Sequence, residues 1–413
     1  MRFTADADNF REAFRLVQTA AGAKGNKWIA ILRSVFIEAN DRGVLLYATD
    51  NEVTICAEVL GCTVEEAGEG LVSPSLVKPL LKALKGGEVD VKRSANGTVT
   101  IGGAVVSDPE MRDTLAYPER VYQTDKEPSI VVDTADFVYA LAFARVSAST
   151  DAGRPAITGV HLTTSKRAQS LGQLGSARVL ARNEIVAVGT DGHRLSLCSL
   201  VGSFAEDSQV SGGGIIIPAA GCDAILSIVS GAQTQIAISG PTAYLHTPAT
   251  GDRGSVWVAV RLIDASYPDF SRVIPSPSDK HTTAGPFPTE DLREAFTVMA
   301  NTEKVAAKAL QDQKQMLRVY VSSDDGGIIV ESASAAHLAG EEGDKSTTVA
   351  RIPCSVTGKG GKAGYNPTYW VELGDAIFEP SVEVAFIDAL SPTLIYPETK
   401  AVTMLSVVMP IRL

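Results

Sequence analysis

The segment Thr190–Leu195, with the sequence TDGHRL, is the densest group of polar side chains in the chain, and strand-like apolar runs flank it. One interpretation is catalytic: Asp191 would orient His193, whose imidazole would act as a general base. However, no serine or cysteine can be identified as a nucleophile beside them. An Asp-Gly pair is also what a tight turn between two strands requires, whatever the function. The turn is the stronger interpretation, and a hydrolase or transferase using Asp191 and His193 remains the less favoured one.

Other residue patterns that bind metals or phosphates are sparse. The chain has five histidines and five cysteines, but no CxxC pair and no HExxH motif, which argues against a zinc site or a disulfide framework. The segment 357–364 is rich in glycine and lysine, yet Ala363 follows Lys362, so the phosphate-loop spacing is missing. We therefore expect no catalytic residue, no metal and no cofactor.

Length and composition indicate a soluble, multidomain protein. The 413 residues divide into three units of about 138 residues, each of domain size, and 45% hydrophobic residues can supply their cores. No apolar run reaches the roughly 20 residues of a membrane span, and the N-terminal segment has no signal-peptide apolar region. We expect a cytoplasmic protein with no membrane partner.

Charge is unevenly distributed along the chain. The formal net charge is −11, which taken alone argues against a nucleic-acid ligand. Nevertheless, basic residues outnumber acidic ones in the helix-like segments from Phe10 to Lys27 and from Ser75 to Lys85. The segment from Pro367 to Ser381 contains acidic residues and no basic one. We expect basic helices early in the chain and acidic helices late.

Three cues recur in the same order at a domain-sized period. Tyr117-Pro118 is repeated as Tyr267-Pro268, about 150 residues later, a period far longer than that of a solenoid repeat. Short helix-like runs begin at three prolines, Pro74, Pro218 and Pro367. Amphipathic runs follow three acidic residues, Asp8, Asp136 and Asp291. We therefore predict one domain used three times, over residues 1–127, 128–280 and 281–413.

Each predicted domain combines strand pairs with short helices. Apolar, β-branched runs flank turn residues in all three, over Val35–Ala39 and Val44–Thr49, Asn183–Val188 and Arg194–Leu200, and Met316–Val321 and Ile328–Glu331. A further strand pair follows the second helix-like run, over Gln235–Ser239 and Ala243–Thr247. The expected fold is α+β, with two short helices on antiparallel sheets in each domain.

Several segments resemble the bacterial DNA polymerase III beta subunit, the replicative sliding clamp. They occur in the family's order along the whole chain: Met1–Thr4, Arg154–Gly159, Thr190–Leu195, Arg261–Asp264, Tyr267–Phe270, Arg272–Pro275 and Val407–Leu413. The last of these is similar to the family's VVMPMRL ending. No single segment is decisive, but together they are specific.

The resemblance implies a processivity factor rather than an enzyme. Family members form a head-to-tail homodimer, a six-domain ring that encircles duplex DNA without reading its sequence. They bind the replicative polymerase, the clamp loader and repair polymerases through short peptides. Because a closed ring stays on DNA by encircling it, weak contacts with the phosphates are sufficient, and weak contacts also permit sliding.

The family's partner peptides bind an apolar pocket between the second and third domains. Transferred by motif, its residues here would be Ile157, Thr190, Gly192, His193, Arg194, Leu195, Pro268, Arg272, Val273, Val407, Val408, Met409, Pro410 and Ile411. Leu195, Val407 and Val408 also fit ordinary strand-core positions. The two arginines favour a peptide that brings an acidic or polar group beside its apolar side chains.

The expected DNA contacts depart from the family pattern. Pro155 and Ala156 stand where the family has tyrosines, and Ala219 and Ala220 stand where it has a basic pair. We therefore predict that DNA contact depends mainly on the first domain, through Arg11, Arg15, Lys24, Lys27, Lys78 and Lys82, with Arg154 assisting.

Two hypotheses on assembly remain open. The basic first domain of one subunit would meet the acidic third domain of the other, near Glu341, Glu342 and Asp344, because opposite charges favour head-to-tail docking. The alternative is a monomeric three-domain adaptor that binds peptides and forms no ring.

Overall fold

The computed structural model describes residues 1–21, 29–109, 113–164, 184–205, 213–251, 253–275, 282–309, 319–324, 326–332, 349–358, 362–398 and 403–411. Among these residues, the same order of elements occurs three times: a strand, a helix, five strands, a second helix and three strands. This order confirms the threefold repeat and the α+β class predicted from the sequence. No helix in the described stretches is long and apolar enough to cross a membrane.

The first repeat contains two helices and nine strands: β1 (Arg2–Asp6), α1 (Ala7–Val17), β2 (Val35–Asn40), β3 (Gly43–Thr49), β4 (Val53–Val59), β5 (Cys62–Glu66), β6 (Gly68–Val72), α2 (Pro74–Ala83), β7 (Glu88–Arg93), β8 (Val99–Ile101) and β9 (Ala104–Val106).

The second repeat has the same elements: β10 (Ile130–Asp133), α3 (Thr134–Arg145), β11 (Gly159–Thr164), β12 (Ile185–Thr190), β13 (Arg194–Leu200), β14 (Gly202–Phe204), β15 (Ile215–Pro218), α4 (Ala219–Ile228), β16 (Gln233–Ser239), β17 (Thr242–Thr247) and β18 (Val256–Arg261).

The third repeat follows: β19 (Thr282–Pro288), α5 (Thr289–Ala309), β20 (Val319–Asp324), β21 (Gly327–Ser332), β22 (Val349–Pro353), β23 (Val356–Thr357), β24 (Lys362–Tyr365), α6 (Pro367–Ala376), β25 (Ser381–Phe386), β26 (Thr393–Pro397) and β27 (Met404–Val408). The helix α5 has 21 residues, so the expectation of short helices fails here. In contrast, α1 ends at Val17, well before the predicted Lys27.

The chain packs into two compact units. Unit 1 comprises Met1–Val138, Gly202–Gly212 and Ile217–Asp264. It contains a five-stranded sheet of order β5-β1-β7-β8-β9 and a nine-stranded sheet of order β14-β10-β16-β17-β18-β4-β3-β2-β6. The nine-stranded sheet joins two repeats because β18 pairs antiparallel with β4, with Val258 opposite Ile55.

Unit 2 comprises Tyr139–Val201, Gly213–Ile216 and Ala265–Leu413. Its nine-stranded sheet has the order β15-β11-β12-β13-β27-β26-β25-β19-β23, and its four-stranded sheet the order β22-β21-β20-β24. Here β27 pairs antiparallel with β13, again joining two repeats. Because sheets cross the repeat boundaries, the compact units do not follow the three predicted domains, whose limits remain predictions.

Local sequence explains where the helices begin. The side chain of Asp6 caps α1 by accepting hydrogen bonds from the backbone of Asp8 and Asn9. Pro74 and Pro367 occupy the first turn of α2 and α6, where a missing N–H costs nothing. Pro218 immediately precedes α4. The three prolines therefore open helices, as predicted.

Aliphatic side chains and stacked aromatic rings form the cores of both units. In unit 1, Phe10 lies between Phe3 and Phe14, with ring centroids 6.1 and 6.4 Å away, and all three side chains are fully buried. In unit 2, Phe296 of α5 stacks on Trp370 of α6 at 4.5 Å. These helices are held to their sheets by apolar burial, which is the main favourable term in folding.

Candidate functional site

The β12–β13 hairpin carries the TDGHRL segment and is held by its own side chains. One carboxylate oxygen of Asp191 accepts hydrogen bonds from the backbone N–H of His193 (2.8 Å) and of Arg194 (2.9 Å). The hydroxyl of Thr190 donates to the carbonyl of Arg194 at 2.7 Å and accepts from the N–H of Gly192 at 3.1 Å. Gly192 has a φ of 90°, a left-handed conformation that favours glycine. The residue types are thus accounted for by the turn.

Arg194 is a buried cation with two carboxylate partners. Its side chain is 9% exposed, and it forms ion pairs with Asp191 at 3.1 Å and with Glu372 of α6 at 2.6 Å. The guanidinium carbon lies 4.6 Å from the ring centroid of Tyr369. Burial, followed by the charge of Asp191, raises the pKa of Tyr369. Because Arg194 is engaged within unit 2, it is better placed to shape the site than to serve as a free anchor.

His193 is exposed and connects the hairpin to the C-terminal segment. Its ring lies parallel to that of Tyr369, with 6.5 Å between centroids. Its carbonyl accepts a hydrogen bond from the N–H of Met409 at 2.8 Å. One oxygen of the Asp191 carboxylate accepts from the backbone N–H of His193, and the other accepts from the side chain of Arg194. This arrangement does not support a catalytic Asp–His pair.

The C-terminal segment divides into a core part and a half-buried part. Val407 and Val408 of β27 are buried and lie opposite Leu195 and Arg194 of the paired strand β13. Met409, Pro410 and Ile411 are half-buried. The N–H of Ile411 donates to the carbonyl of Gly364 at 2.7 Å, which fixes the end of the segment.

The segment after β18 provides the most exposed predicted residues. Tyr267 is buried, stacks on His161 at 4.5 Å and donates its hydroxyl to the carbonyl of Val188 at 3.3 Å. Beyond it, Pro268 is exposed, Arg272 is 82% exposed in its side chain, and Val273 is 44% exposed. Arg272 pairs with Asp269 at 3.0 Å. The hydrogen bond from Ser271 holds the pKa of Asp269 below its usual range.

The fourteen predicted pocket residues all lie in unit 2, and they differ in accessibility. Exposed or half-buried residues, which a ligand could reach, are Thr190, Gly192, His193, Pro268, Arg272, Val273, Met409, Pro410 and Ile411. Buried residues, which support them, are Ile157, Arg194, Leu195, Val407 and Val408. The sequence did not identify Tyr369 and Glu372, because their contacts with the hairpin are long-range and carry no local motif.

The basic residues predicted on α1 are engaged in local contacts. Arg11 donates to the carbonyls of Leu81 and Leu84 at the end of α2, both at 2.9 Å, and pairs with Asp8. Arg15 forms two hydrogen bonds with Glu12, of 2.7 and 2.8 Å, and these lower the pKa of Glu12. The positive charge of α1 is therefore largely compensated.

The α2 lysines are the freer cations. Lys78 and Lys82 lie one turn apart on an exposed face, and neither has an ion-pair partner among the residues that the structure describes. Arg154 is half-exposed and pairs with Asp151 at 2.9 Å. Its guanidinium lies close to Gly192, because a Cβ added at Gly192 would be 3.0 Å from the Nη1 atom of Arg154. Lys24 and Lys27 lie outside the described residues, and so do Glu341, Glu342 and Asp344. The DNA-contacting set remains a prediction.

Comparisons with known proteins agree with this architecture. Residues 131–269 match the family model of the DNA polymerase III beta subunit, central domain. The beta sliding clamp of Streptococcus pneumoniae is 22% identical over 419 residues, covering 100% of this chain and 99% of that protein. That of Bacillus subtilis is 21% identical and covers both chains fully.

Solved clamp structures share the fold over the whole chain. The beta subunit of Streptococcus pyogenes has a TM-score of 0.80 at 19% identity, with both chains fully covered. The clamp of Bacillus subtilis has a TM-score of 0.78 at 20% identity, covering 100% of this chain and 99% of that one. A Bartonella birtlesii clamp solved with bound griselimycin has a TM-score of 0.75 at 19% identity, again with both chains fully covered. The predicted resemblance to the DNA polymerase III beta subunit is therefore confirmed, by the family model over residues 131–269 and by the fold over the whole chain.

Proposed function

We propose that this protein is a DNA sliding clamp that confers processivity on a replicative DNA polymerase. Two copies associate head to tail and enclose duplex DNA in the cytoplasm, and the ring recruits replication and repair proteins. The repeats are the structural units of this ring, within the predicted limits 1–127, 128–280 and 281–413. The proposal rests on the way in which the sheets continue from one repeat to the next.

The last strand of one repeat pairs with the third strand after the first helix of the preceding repeat. This junction occurs twice, as β18 with β4 and as β27 with β13. The corresponding strand of the first repeat is β9, and the corresponding partner in the third repeat is β22. Within the described chain, β9 pairs only with β8, and β22 pairs only with β21. One chain therefore has two edge strands that lack the junction partner: β9 in the first repeat and β22 in the third.

A second copy supplies the missing halves. If β9 of one copy pairs with β22 of the other, the same junction occurs at every repeat boundary and the assembly closes on itself. Aliphatic side chains are exposed near these edges: Val105 on β9 is 68% exposed and Val349 on β22 is 47% exposed. Exposed edge strands with apolar side chains tend to pair with another chain. The predicted charge contribution from Glu341, Glu342 and Asp344 stays a hypothesis.

The hairpin, the segment after β18 and the C-terminal segment form the proposed peptide site. Exposed Pro268 and Val273 and half-buried Met409 offer apolar contacts, and Met adapts to different partners. Exposed His193 and Arg272 favour peptides with a polar or acidic group. Short segments of the polymerase, the clamp loader and repair polymerases are the proposed ligands.

Retention on DNA tests the clamp function. Purified protein is assembled on a nicked circular plasmid by dilution from dissociating salt, and bound protein is then isolated by gel filtration. We expect the protein to stay on the circle and to leave within minutes after a restriction enzyme cuts the plasmid. Equal loss from circular and cut plasmid would rule out encirclement and leave the monomeric adaptor as the explanation of the peptide site.

A further inference from the structure

The β3–β4 hairpin of unit 1 repeats the turn of the β12–β13 hairpin in unit 2. Asp50 accepts hydrogen bonds from the N–H of Glu52 (3.0 Å) and of Val53 (2.8 Å). Asp191 likewise accepts from the backbone two and three residues later in the chain. Thr49 donates to the carbonyl of Val53 at 3.1 Å and accepts from the N–H of Asn51 at 3.1 Å. Asn51 has a φ of 76° and takes the place of Gly192. The two turns therefore have the same bonding.

The surroundings of the two hairpins also correspond. The N–H of Arg261 donates to the carbonyl of Glu52 at 2.9 Å, as the N–H of Met409 donates to His193. Tyr117 and Tyr267 are each 8% exposed, and burial raises the pKa of both hydroxyls. A proline and an acidic residue follow each tyrosine. Unit 1 thus contains a second copy of the frame that unit 2 uses for the proposed peptide site.

The side chains that this frame presents are different in unit 1. Glu52 stands in the place of His193, Val53 in the place of Arg194, and Val121 in the place of Ser271. These replacements remove the guanidinium of Arg194 and the imidazole of His193 and introduce a carboxylate, while Arg261 stands in the place of Met409. The tip of the hairpin is therefore more negative in unit 1 than in unit 2.

A cleft of about 300 Å³ lies in this frame. Its walls include the exposed carboxylates of Glu52 and Glu119, the exposed side chain of Val121 and the half-buried ring of Tyr244. Neither carboxylate has an ion-pair partner among the residues described in unit 1. Arg261 lines the cleft and likewise has no such partner in the described stretches. The cleft therefore carries two carboxylates against one guanidinium, a net negative charge, beside apolar surface.

We propose that this cleft binds a short extended peptide that carries basic side chains next to an aliphatic one. A lysine or arginine of the peptide pairs with Glu52 and Glu119, and the aliphatic side chain packs against Val121 and Tyr244. The carboxylates disfavour nucleic acid at this place, because phosphates would meet like charge. The protein would then have two docking sites built on one frame, with opposite charge preference. The inference uses the peptide site of the proposed function as its template, but it does not depend on ring formation.

Fluorescence anisotropy of the full-length protein tests this inference. The probe is fluorescein-labelled Ala-Lys-Leu-Lys-Leu-amide, and the comparison peptide has glutamate in place of both lysines. We expect saturable binding of the basic probe that is weakened by changes in the cleft, whereas any binding of the acidic peptide at the site of unit 2 should be unaffected by those changes. Glu52→Lys combined with Glu119→Lys should weaken probe binding about tenfold, since two attractive contacts become repulsive.

The controls separate the cleft from general charge effects. Glu88→Lys reverses one carboxylate, half the charge change of the double variant, at an exposed position of β7 outside the cleft, and should leave binding within about twofold of wild type. Glu52→Gln with Glu119→Gln is a milder variant that keeps the side-chain shape, and all melting temperatures are compared. Absent binding, unchanged affinity in the cleft variants, or an equal loss in Glu88→Lys would overturn the inference. Plasmid retention of the cleft variant is measured separately, so failure of the clamp function is recognised independently.

Discussion

The two matched hairpins allow the contribution of one buried ion pair to be measured against an internal reference. We predict that Asp191→Ala destabilises unit 2 more than Asp50→Ala destabilises unit 1. Each substitution removes a carboxylate that accepts two backbone N–H groups. Such bonds contribute about 1 kcal/mol each, so the shared loss is about 2 kcal/mol.

The additional loss at Asp191 arises from Arg194. This guanidinium is 9% exposed and would keep Glu372, whose side chain is 44% exposed, as its ion-pair partner. Complete loss of a buried partner costs about 3–5 kcal/mol, and retention of Glu372 reduces this to roughly 1–2 kcal/mol. At residue 53, valine stands where Arg194 stands in the second hairpin, so this contribution is missing from Asp50→Ala. We expect a total loss of about 3–4 kcal/mol for Asp191→Ala, of which about 2 kcal/mol is the loss of backbone bonds that Asp50→Ala shares.

Amide hydrogen exchange on the intact protein is the appropriate assay, because a chain with two units need not unfold in a single transition. Exchange in peptides from residues 185–200 is compared with exchange in peptides from residues 43–59. The double variant Asp191→Ala with Arg194→Met removes the buried cation that has lost one of its two carboxylate partners, and it should regain about 1 kcal/mol. Equal losses at the two hairpins, or no recovery in the double variant, would refute the assigned role of Arg194.

Three further outcomes are expected. Val105→Lys on β9 should convert the proposed dimer to monomer in sedimentation experiments, whereas Val201→Lys, at a position that is 60% exposed, should not; a dimer unaffected by Val105→Lys would exclude the β9 edge as the interface. Lys78→Glu with Lys82→Glu should reduce the slope of log K against log salt for linear duplex DNA by about 2, while Lys126→Glu should leave it unchanged; an unaltered slope would remove α2 from the DNA contact. Burial lowers the pKa of His246, whose ring stacks on Trp257 at 5.0 Å, so the unfolded chain binds the proton more tightly. The contribution of His246 to folding stability is present above its unfolded pKa of about 6.5 and is lost as pH falls through the lower folded pKa. His246→Phe should flatten this part of the stability–pH curve; a curve identical to that of wild type would contradict this role of His246.

Local patterns predicted the parts of the fold that depend on local physics. The prolines at 74, 218 and 367 mark helix starts because a proline suits the first turn. The TDG turn was recognised because its bonds form within five residues. In contrast, the distant partners of Arg194 and Arg11 are not predictable from the sequence: Glu372 for the first, and the carbonyls of Leu81 and Leu84 for the second. Spacing within a sequence contains no signal for such contacts.

The sharing of sheets between repeats limits how the chain can be divided. A fragment of residues 1–127 would lose β18 and leave the central strand β4 with a bare row of amide and carbonyl groups. A fragment that begins at residue 281 would leave β27 without β13 in the same way. Such pieces would adhere to one another or to other proteins, since uncovered strand edges promote aggregation. Proteolysis or truncation at a repeat boundary should therefore yield insoluble material instead of working modules.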